Sequence, residues 1–264
     1  MTLNNNLSIL PFYEITTANP EPRDDQRWWV YGHKYPLFAP KGGSIPVQFN
    51  AASIPSTFTW YNAKTGANAG SGYYSIFYKT IDGVYYACFN LGTNLAVGQY
   101  YCKCSAGGKN YVSDVVTIVQ DITPYLKLEW WDNQDLIMDG GAIIYTNSVG
   151  VNNYKNVLYL PTELAKPSYE FEEEGENRDG YFFALKQISQ KRYRFTILAP
   201  EYLCDVMRFI RLSDNIQITY RGQLYKADTF LMTPTWESEG DLAKVECEFT
   251  TNTVAKKIGR IITP

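Results

Sequence analysis

The stretch GQYYCKCSAGGKNYVSDVVTIV, residues 98–119, indicates the fold of the first half of the chain. Its pattern of strand-forming residues predicts two consecutive β-strands. Cys102 and Cys104 are two residues apart in an alternating strand, so their side chains share one face of a sheet.

The region that contains this stretch, Trp28 to Gln120, is a series of short apolar runs separated by Gly, Asn and Asp. A spacing of about 8–12 residues between such runs is typical of a β-sandwich. Trp60 and the Gly98-x-Tyr100-x-Cys102 pattern lie where an immunoglobulin-like sandwich carries its core Trp and its tyrosine corner. We predict an immunoglobulin-like β-sandwich over residues 27–121; another β domain of seven to nine strands is the alternative.

The disulfide of an immunoglobulin sandwich is not predicted. The chain has five cysteines, Cys88, Cys102, Cys104, Cys204 and Cys247. The segment Pro46–Val47–Gln48–Phe49, where the partner of Cys102 would lie, contains none. An odd count without a dense framework argues against a disulfide scaffold, so we expect reduced, buried cysteines that pack as small apolar residues.

Asp121–Ile122–Thr123–Pro124 predicts a short linker, since proline lacks a ladder donor and biases its predecessor to extended backbone. A second β domain is predicted over residues 125–253. In it, YFFALKQ and RYRFTIL indicate two strands joined as a hairpin by ISQK. Pro200, Glu201 and a helical apolar repeat then predict one helix at about residues 200–212. Three strands follow, and the last of them, AKVECEF, alternates strictly.

Both ends of the chain are predicted to be arms. Residues 1–26 are Asn-rich and then Pro-rich, a composition that buries little by itself. We expect this arm to be either disordered or ordered on a neighbouring subunit. Residues 254–264 mix basic and apolar side chains and form either a frayed tail or a second docking arm.

Charge and hydropathy exclude several classes of protein. The formal net charge is −3, and the basic segments Lys186–Arg194 and Lys256–Arg260 are short and interrupted by apolar residues, which argues against nucleic-acid binding. The N-terminus lacks the basic and apolar regions of a signal peptide. No apolar run approaches the ~18 residues of a membrane span. We expect a soluble protein made in the cytoplasm.

The residues that carry chemistry are sparse. His33 is the single histidine, which excludes a histidine-rich metal site. No phosphate-binding, dinucleotide-binding or nucleophile motif occurs, and neither Cys88 nor Cys204 has an identifiable catalytic partner. The acidic run Glu170–Asp179 lacks the regular alternation of a calcium loop and indicates a solvated loop. We predict no catalytic residue, no metal, no cofactor and no small-molecule substrate.

Two tryptophan doublets remain, Trp28–Trp29 and Trp130–Trp131. Adjacent residues of a strand face opposite sides, so each doublet buries one Trp and offers the other outward. An outward Trp is either an interface anchor or a platform for sugar stacking. Because each doublet lies near the start of a predicted domain, we favour docking between domains or subunits over glycan binding. The candidate interface anchors are Trp28, Trp29, Trp130 and Trp131.

The second half also resembles a known family. The segment that runs from KPSYEFEEEGENRDG through NIQITYRGQLYKADTF to TWESEGDLAKVECEF is similar to structural proteins of tailed phages and prophages of Bacteroidetes-type gut bacteria. In particular, the order of hairpin, helix and strands resembles the tail-tube-like fold. The resemblance covers roughly Tyr125 to Thr253 and carries no catalytic residues.

That resemblance implies a non-enzymatic structural subunit of a virion, in the tail, the neck or ring, or the baseplate. Such a subunit would form an oligomeric ring with copies of itself and contact neighbouring virion proteins. A carbohydrate- or surface-binding β-sandwich module is the alternative, with exposed Trp and Tyr as platforms. An enzyme of unrecognised type is a third reading, against which the single histidine and the missing motifs count.

Overall fold

The computed structural model describes residues 8–17, 37–81, 84–131, 136–137, 143–144, 155–236, 242–251 and 255–258. The mainly β architecture with one helical segment predicted from the sequence is confirmed within these ranges. The strands of the first half are β1 (Phe12–Glu14), β2 (Leu37–Pro40), β3 (Ser44–Ala51), β4 (Ser56–Asn62), β5 (Asn68–Ser71), β6 (Tyr73–Ile81), β7 (Val84–Gly92), β8 (Gly98–Ala106) and β9 (Lys109–Val119).

The second half contributes ten more strands and the helix. The strands are β10 (Leu126–Trp131), β11 (Leu136–Ile137), β12 (Ile143–Ile144), β13 (Asn156–Leu160), β14 (Ser168–Arg178), β15 (Tyr181–Pro200), β16 (Asn215–Tyr220), β17 (Gln223–Trp236), β18 (Leu242–Thr251) and β19 (Ala255–Ile258). Helix α1 (Glu201–Met207) continues as a 3₁₀ turn (Arg208–Leu212). The helix predicted at about 200–212 is thus confirmed.

The first half is a two-sheet sandwich. One sheet has the strand order β3-β7-β6, and the other contains the order β2-β9-β8-β4-β5 as part of a larger sheet. Strand β2 pairs in parallel with β9, whereas the other pairs are antiparallel. Aromatic rings fill the space between the sheets; Phe58 lies 5.8 Å from Phe49 and 4.9 Å from Phe89 between ring centroids.

Trp60 and Cys102 occupy the centre of the sandwich, as the spacing predicted. They are opposite each other on β4 and β8, and the Trp60 indole N–H donates to the carbonyl oxygen of Gly92 at 2.9 Å. All five cysteines are free and buried, so no disulfide crosses the core. The buried Val47 and Phe49 of β3 fill the position where a bridging cysteine would lie.

The N-terminal segment corrects one prediction. Residues 8–14 of the predicted arm pack into the sandwich of their own chain, with Ile9, Leu10 and Phe12 buried. Strand β1 pairs with β9, and the Ser8 hydroxyl accepts from the backbone N–H of Gln48 at 3.3 Å. Three apolar side chains close together outweigh the polar average of the arm, because burial of each stabilises by about 1.5–3 kcal/mol.

The predicted hairpin around ISQK is also wrong. Ile188–Lys191 lie in the middle of β15, a single strand of 20 residues. The turn lies earlier, at Asp179–Gly180, with φ of 52° and 83°. Two consecutive positive φ angles are what a type I′ hairpin turn requires, and Asp-Gly supplies them, whereas ISQK has no Gly, Asn or Asp. The acidic run predicted as a loop is consequently strand β14.

The large sheet continues from the first half into the second in the order β14-β15-β18-β17-β16-β10-β13-β2-β9. The link between the halves is the pairing of Tyr159 on β13 with Phe38 on β2. The linker predicted at residues 121–124 makes a turn in which Tyr125 N–H donates to the Ile122 carbonyl at 2.9 Å. The domain boundaries themselves stay a prediction.

Helix α1 covers one face of the second half of the sheet. Leu203, Val206 and Met207 are buried on it, as the helical apolar repeat predicted. They meet the alternate residues of β15 and β18 that face inward: Phe195, Ile197, Ala243, Val245 and Cys247. The opposite face of these strands carries the charged and threonine side chains. The helix thus covers one face of these strands and leaves the other face exposed.

Candidate assembly surface

The tryptophan doublets are placed only in part. Trp28 and Trp29 lie outside the described residues. Trp130 is buried in the core, and Trp131 on the other face of β10 is half-buried, which is the alternation expected of a strand. The Lys155 ammonium lies 3.9 Å from the centre of the Trp131 ring and covers one of its faces. The interface role of these four residues stays a prediction.

The groups considered for catalysis do not form a site in the described part of the chain. His33 lies outside the described residues. Burial raises the pKa of the Cys204 thiol to about 11 and that of Cys247 to about 12, so neither is a thiolate near neutral pH. The second thiol considered, Cys88, is fully buried. Among the described residues, no three His, Cys, Asp or Glu side chains are grouped to hold a metal ion.

A projecting three-stranded arm is the most distinctive feature of the second half. Strand β14 pairs with residues 181–192 of β15, and β18 pairs with residues 192–200 of the same strand. The first half of β15 therefore extends past the sheet that α1 covers, accompanied by β14 and by β19. With 11 residues in β14, the arm extends about 36 Å at ~3.3 Å per residue.

The apolar core face of the sheet continues onto the start of this arm. Tyr193 is buried and stacks on Phe249 with 5.2 Å between ring centroids. Tyr169 and Phe171 of β14 are opposite Lys191 and Ser189, so they lie on the same face as Tyr193. Tyr169 is 59% exposed and Phe171 is 71% exposed. The chain therefore presents an uncovered extension of its own core face.

On the opposite face, charged side chains join the three strands that meet at the base of the arm. Arg192 contacts both Glu170 of β14 and Glu248 of β18, the latter at 3.1 Å between Nη1 and Oε1. Arg194 also contacts Glu248, at 2.6 Å between Nε and Oε2. This network ties three adjacent strands together. It explains how an acidic run forms a strand, since cross-strand partners of opposite charge offset the repulsion among its glutamates.

The free edge of the arm is β14, which ends the strand order of the large sheet among the described residues. An unpaired strand edge is a template for pairing with another chain, and charged side chains along an edge limit indiscriminate pairing. Strand β14 carries Glu170, Glu172, Glu173, Glu174 and Glu176. Its edge is thus long and acidic, and no described strand pairs with it on that side.

An open groove lies on the sheet face opposite α1. It has a volume of about 480 Å³ and is lined by Arg194, Thr196, Leu231, Thr233, Glu246 and Glu248. Leu231 is 42% exposed there. Charged side chains, threonines and one leucine thus share this face.

The sequence reasoning missed Tyr169 and Phe171 as exposed aromatic side chains of a strand, because the segment EFEEEGENRD was interpreted as a loop. A signal was present: Tyr169-x-Phe171 alternates with glutamates in a run that ends at Asp179–Gly180. That dipeptide, when it follows an alternating run, is a strong indicator of a hairpin. Trp236, which is 46% exposed on β17, was likewise not singled out.

Comparison with known proteins gives no assignment. A search with models of known protein families returns no match to this chain. A search of curated protein sequences also returns none. In the described part of the chain, no helix has the length and apolar character needed to cross a membrane.

Proposed function

We propose that this chain is a non-enzymatic structural subunit of a bacteriophage virion, a component of the tail, the neck or ring, or the baseplate. It works by contacts with copies of itself in an oligomeric ring and with neighbouring virion proteins. The virion assignment rests on the resemblance of the second half to phage structural proteins. The observation that supports assembly is the projecting arm with its open edge and exposed Phe171 and Tyr169.

The exposed face of the arm supports self-assembly because it continues a core face. Phe171 is 71% exposed, and full burial of a Phe side chain stabilises by about 1.5–3 kcal/mol, so a partner that covers it gains about 1–2 kcal/mol at this residue. Tyr169 adds a second ring beside it. Aromatic anchors of this kind dominate the energetics of protein interfaces.

The edges of the two halves support a head-to-tail arrangement. Strand β14 ends the large sheet, and β6 ends the three-stranded sheet of the sandwich. These two long edges differ in sequence. A contact between β14 of one subunit and β6 of the next subunit is therefore heterologous. Heterologous contacts are what closed rings require. Strand β5, at the other end of the large sheet, has only four residues and offers little for pairing.

The substitution Phe171→Ser tests this proposal. It removes about 1–2 kcal/mol at each subunit contact, which raises the concentration at the midpoint of assembly about 6- to 30-fold. The free energy of unfolding of the monomer changes by no more than about 0.5 kcal/mol, because the ring is largely exposed. Mass photometry and sedimentation velocity over a concentration series measure assembly, and negative-stain images report whether rings form.

Val97→Ser is the matched control. Val97 is 58% exposed and lies between β7 and β8 of the sandwich, away from the arm. We expect the control variant to assemble as the wild type does. The proposal fails if Phe171→Ser assembles like the control, or if the wild-type chain is monomeric at every concentration and with every neighbouring virion protein tested.

A further inference from the structure

The aromatic face of the arm and the groove on the sheet point in opposite directions. Phe171 and Tyr169 lie on the face of β14 that continues the core face of the sheet. The groove of about 480 Å³ lies on the other face of the same sheet, across β15, β18 and β17. Two surfaces can meet only when they point toward each other. A contact between these two therefore needs a second copy whose sheet faces the same way as that of the first.

This geometry favours a contact that repeats around a ring. Subunits that follow one another around a ring of many copies differ by a small rotation, so their sheets face nearly the same way. The contact between them is heterologous, whereas a pairing of two identical faces would be isologous and would close after two copies. The arm extends past the part of the sheet that α1 covers, so a neighbour can approach its aromatic face without meeting the helix.

The groove provides an apolar contact for an aromatic side chain. Leu231 is 42% exposed in it, and Thr196 and Thr233 line it as well. Its volume lies within the range of pockets that enclose small organic ligands, which is enough for a phenyl ring. Phe171, at 71%, is the most exposed large apolar side chain among the described residues. A sheet laid face to face on another at about 10 Å would bring this ring against Leu231.

The charges beside the two surfaces are complementary. Lys191 lies opposite Tyr169 on the aromatic face of the arm, and its ammonium is 5.9 Å from the centre of that ring. Glu246 lines the groove with a side chain that is 65% exposed, and its carboxylate contacts the Lys244 ammonium at 3.1 Å. Because an ion pair as exposed as this one is weak, the carboxylate can accept a second ammonium. A cation beside the aromatic pair thus matches an accessible carboxylate in the groove.

We propose that the arm of one subunit lies on the sheet face opposite α1 of the next subunit, with Phe171 in the groove against Leu231. Lys191 of the arm pairs with Glu246 of the groove. This contact rests on the proposed function, because copies of the chain must associate, and it adds the surface that receives the arm. It uses the face of β14 and not its edge, so strand pairing along the edge is a separate contact. Each chain thereby carries both halves of a head-to-tail interface.

Cross-linking between copies tests this contact. The five native cysteines are buried, so engineered surface thiols react selectively with a short bismaleimide. Ser189 lies opposite Phe171 on the aromatic face, and Thr233 lines the groove. We expect a mixture of the Ser189→Cys and Thr233→Cys chains to give a linked pair with one chain of each kind, identified by mass spectrometry of the joined peptides. The matched control replaces Ser189→Cys with Val97→Cys, an exposed position on the sandwich, and gives no such pair.

Exchange of the two charges is a second measurement, and it leaves the aromatic contact in place. Lys191→Glu or Glu246→Lys alone places like charges against each other, so each raises the concentration at the midpoint of assembly about 3- to 10-fold. The double variant Lys191→Glu/Glu246→Lys restores opposite charges and returns the midpoint to near that of the wild type. Both side chains are exposed, so the urea midpoint of the monomer changes little in any of the three variants.

The proposal is overturned if rings form while the link between positions 189 and 233 stays at the level of the control. It is also overturned if the double charge reversal assembles no better than the single reversals. In both cases the proposed function stands, because subunits associate without this contact. A wild-type chain that stays monomeric under every condition tested overturns both proposals together.

Discussion

Leu10 decides whether the N-terminal segment belongs to the fold or is available to a neighbouring subunit. Its side chain is fully buried in the same core cluster as those of Ile9 and Phe12. Leu10→Ala removes the transfer free energy of the lost atoms and leaves a cavity, a combination that costs about 2–5 kcal/mol at buried leucines. A cost of about 3 kcal/mol lowers the Tm of a chain of this size by about 6–12 °C.

Urea unfolding followed by tryptophan fluorescence measures this cost, and calorimetry gives the Tm. The matched control is Leu212→Ala, because Leu212 is 63% exposed at the end of the 3₁₀ turn and its truncation changes stability by no more than about 0.5 kcal/mol. The reasoning is refuted if Leu10→Ala costs less than about 1 kcal/mol or matches the control. The segment would then be free to dock on a neighbour.

Two further predictions concern the core. Trp130→Ala lowers the free energy of unfolding by about 3–5 kcal/mol, because Trp130 is buried. Trp131→Ala lowers it by only about 1 kcal/mol, because Trp131 loses mainly its contact with Lys155. Equal urea midpoints for the two variants would contradict the assigned faces of β10. The second prediction concerns alkaline pH: burial raises the pKa of Cys247 to about 12 from 9.0, so the unfolded chain releases this proton first and stability falls as pH rises through that window. Between the two pKa values, the Cys247 thiol lowers the free energy of unfolding by up to about 1.4 kcal/mol per pH unit. Cys247→Ala should therefore flatten the slope of the unfolding free energy against pH between about 9 and 10.5. An unchanged slope would show that the thiol does not titrate in this way.

Local patterns were sufficient for much of the fold. The alternation of AKVECEF predicted the faces of β18, and Ala243, Val245, Cys247 and Phe249 are buried as expected. Pro200, Glu201 and the apolar repeat predicted the helix. These features are set by the periodicity of strands and helices, which a short window of sequence expresses directly.

The candidate assembly surface could not be predicted from local sequence patterns in the same way. The glutamates of β14 lower the apparent strand propensity of their segment, and the cross-strand contacts of Arg192 and Lys186 that offset their repulsion are made by residues far along the chain. Exposure of Phe171 also depends on where β18 stops pairing with β15, at Arg192. A short window of sequence does not show these cross-strand contacts or where strand pairing ends.

The sequence by itself determined that the chain is mainly β, that one helix follows Pro200, that Trp60 and Cys102 share the core of a sandwich, and that the cysteines are reduced. Only the tertiary structure decided that Leu10 fills the core of its own chain, that β14 and β15 form a projecting arm, and that β13 pairs with β2. The physical reason is that periodicity fixes which face of a strand is apolar, whereas strand partners and uncovered faces depend on contacts between distant residues that compete for the same core.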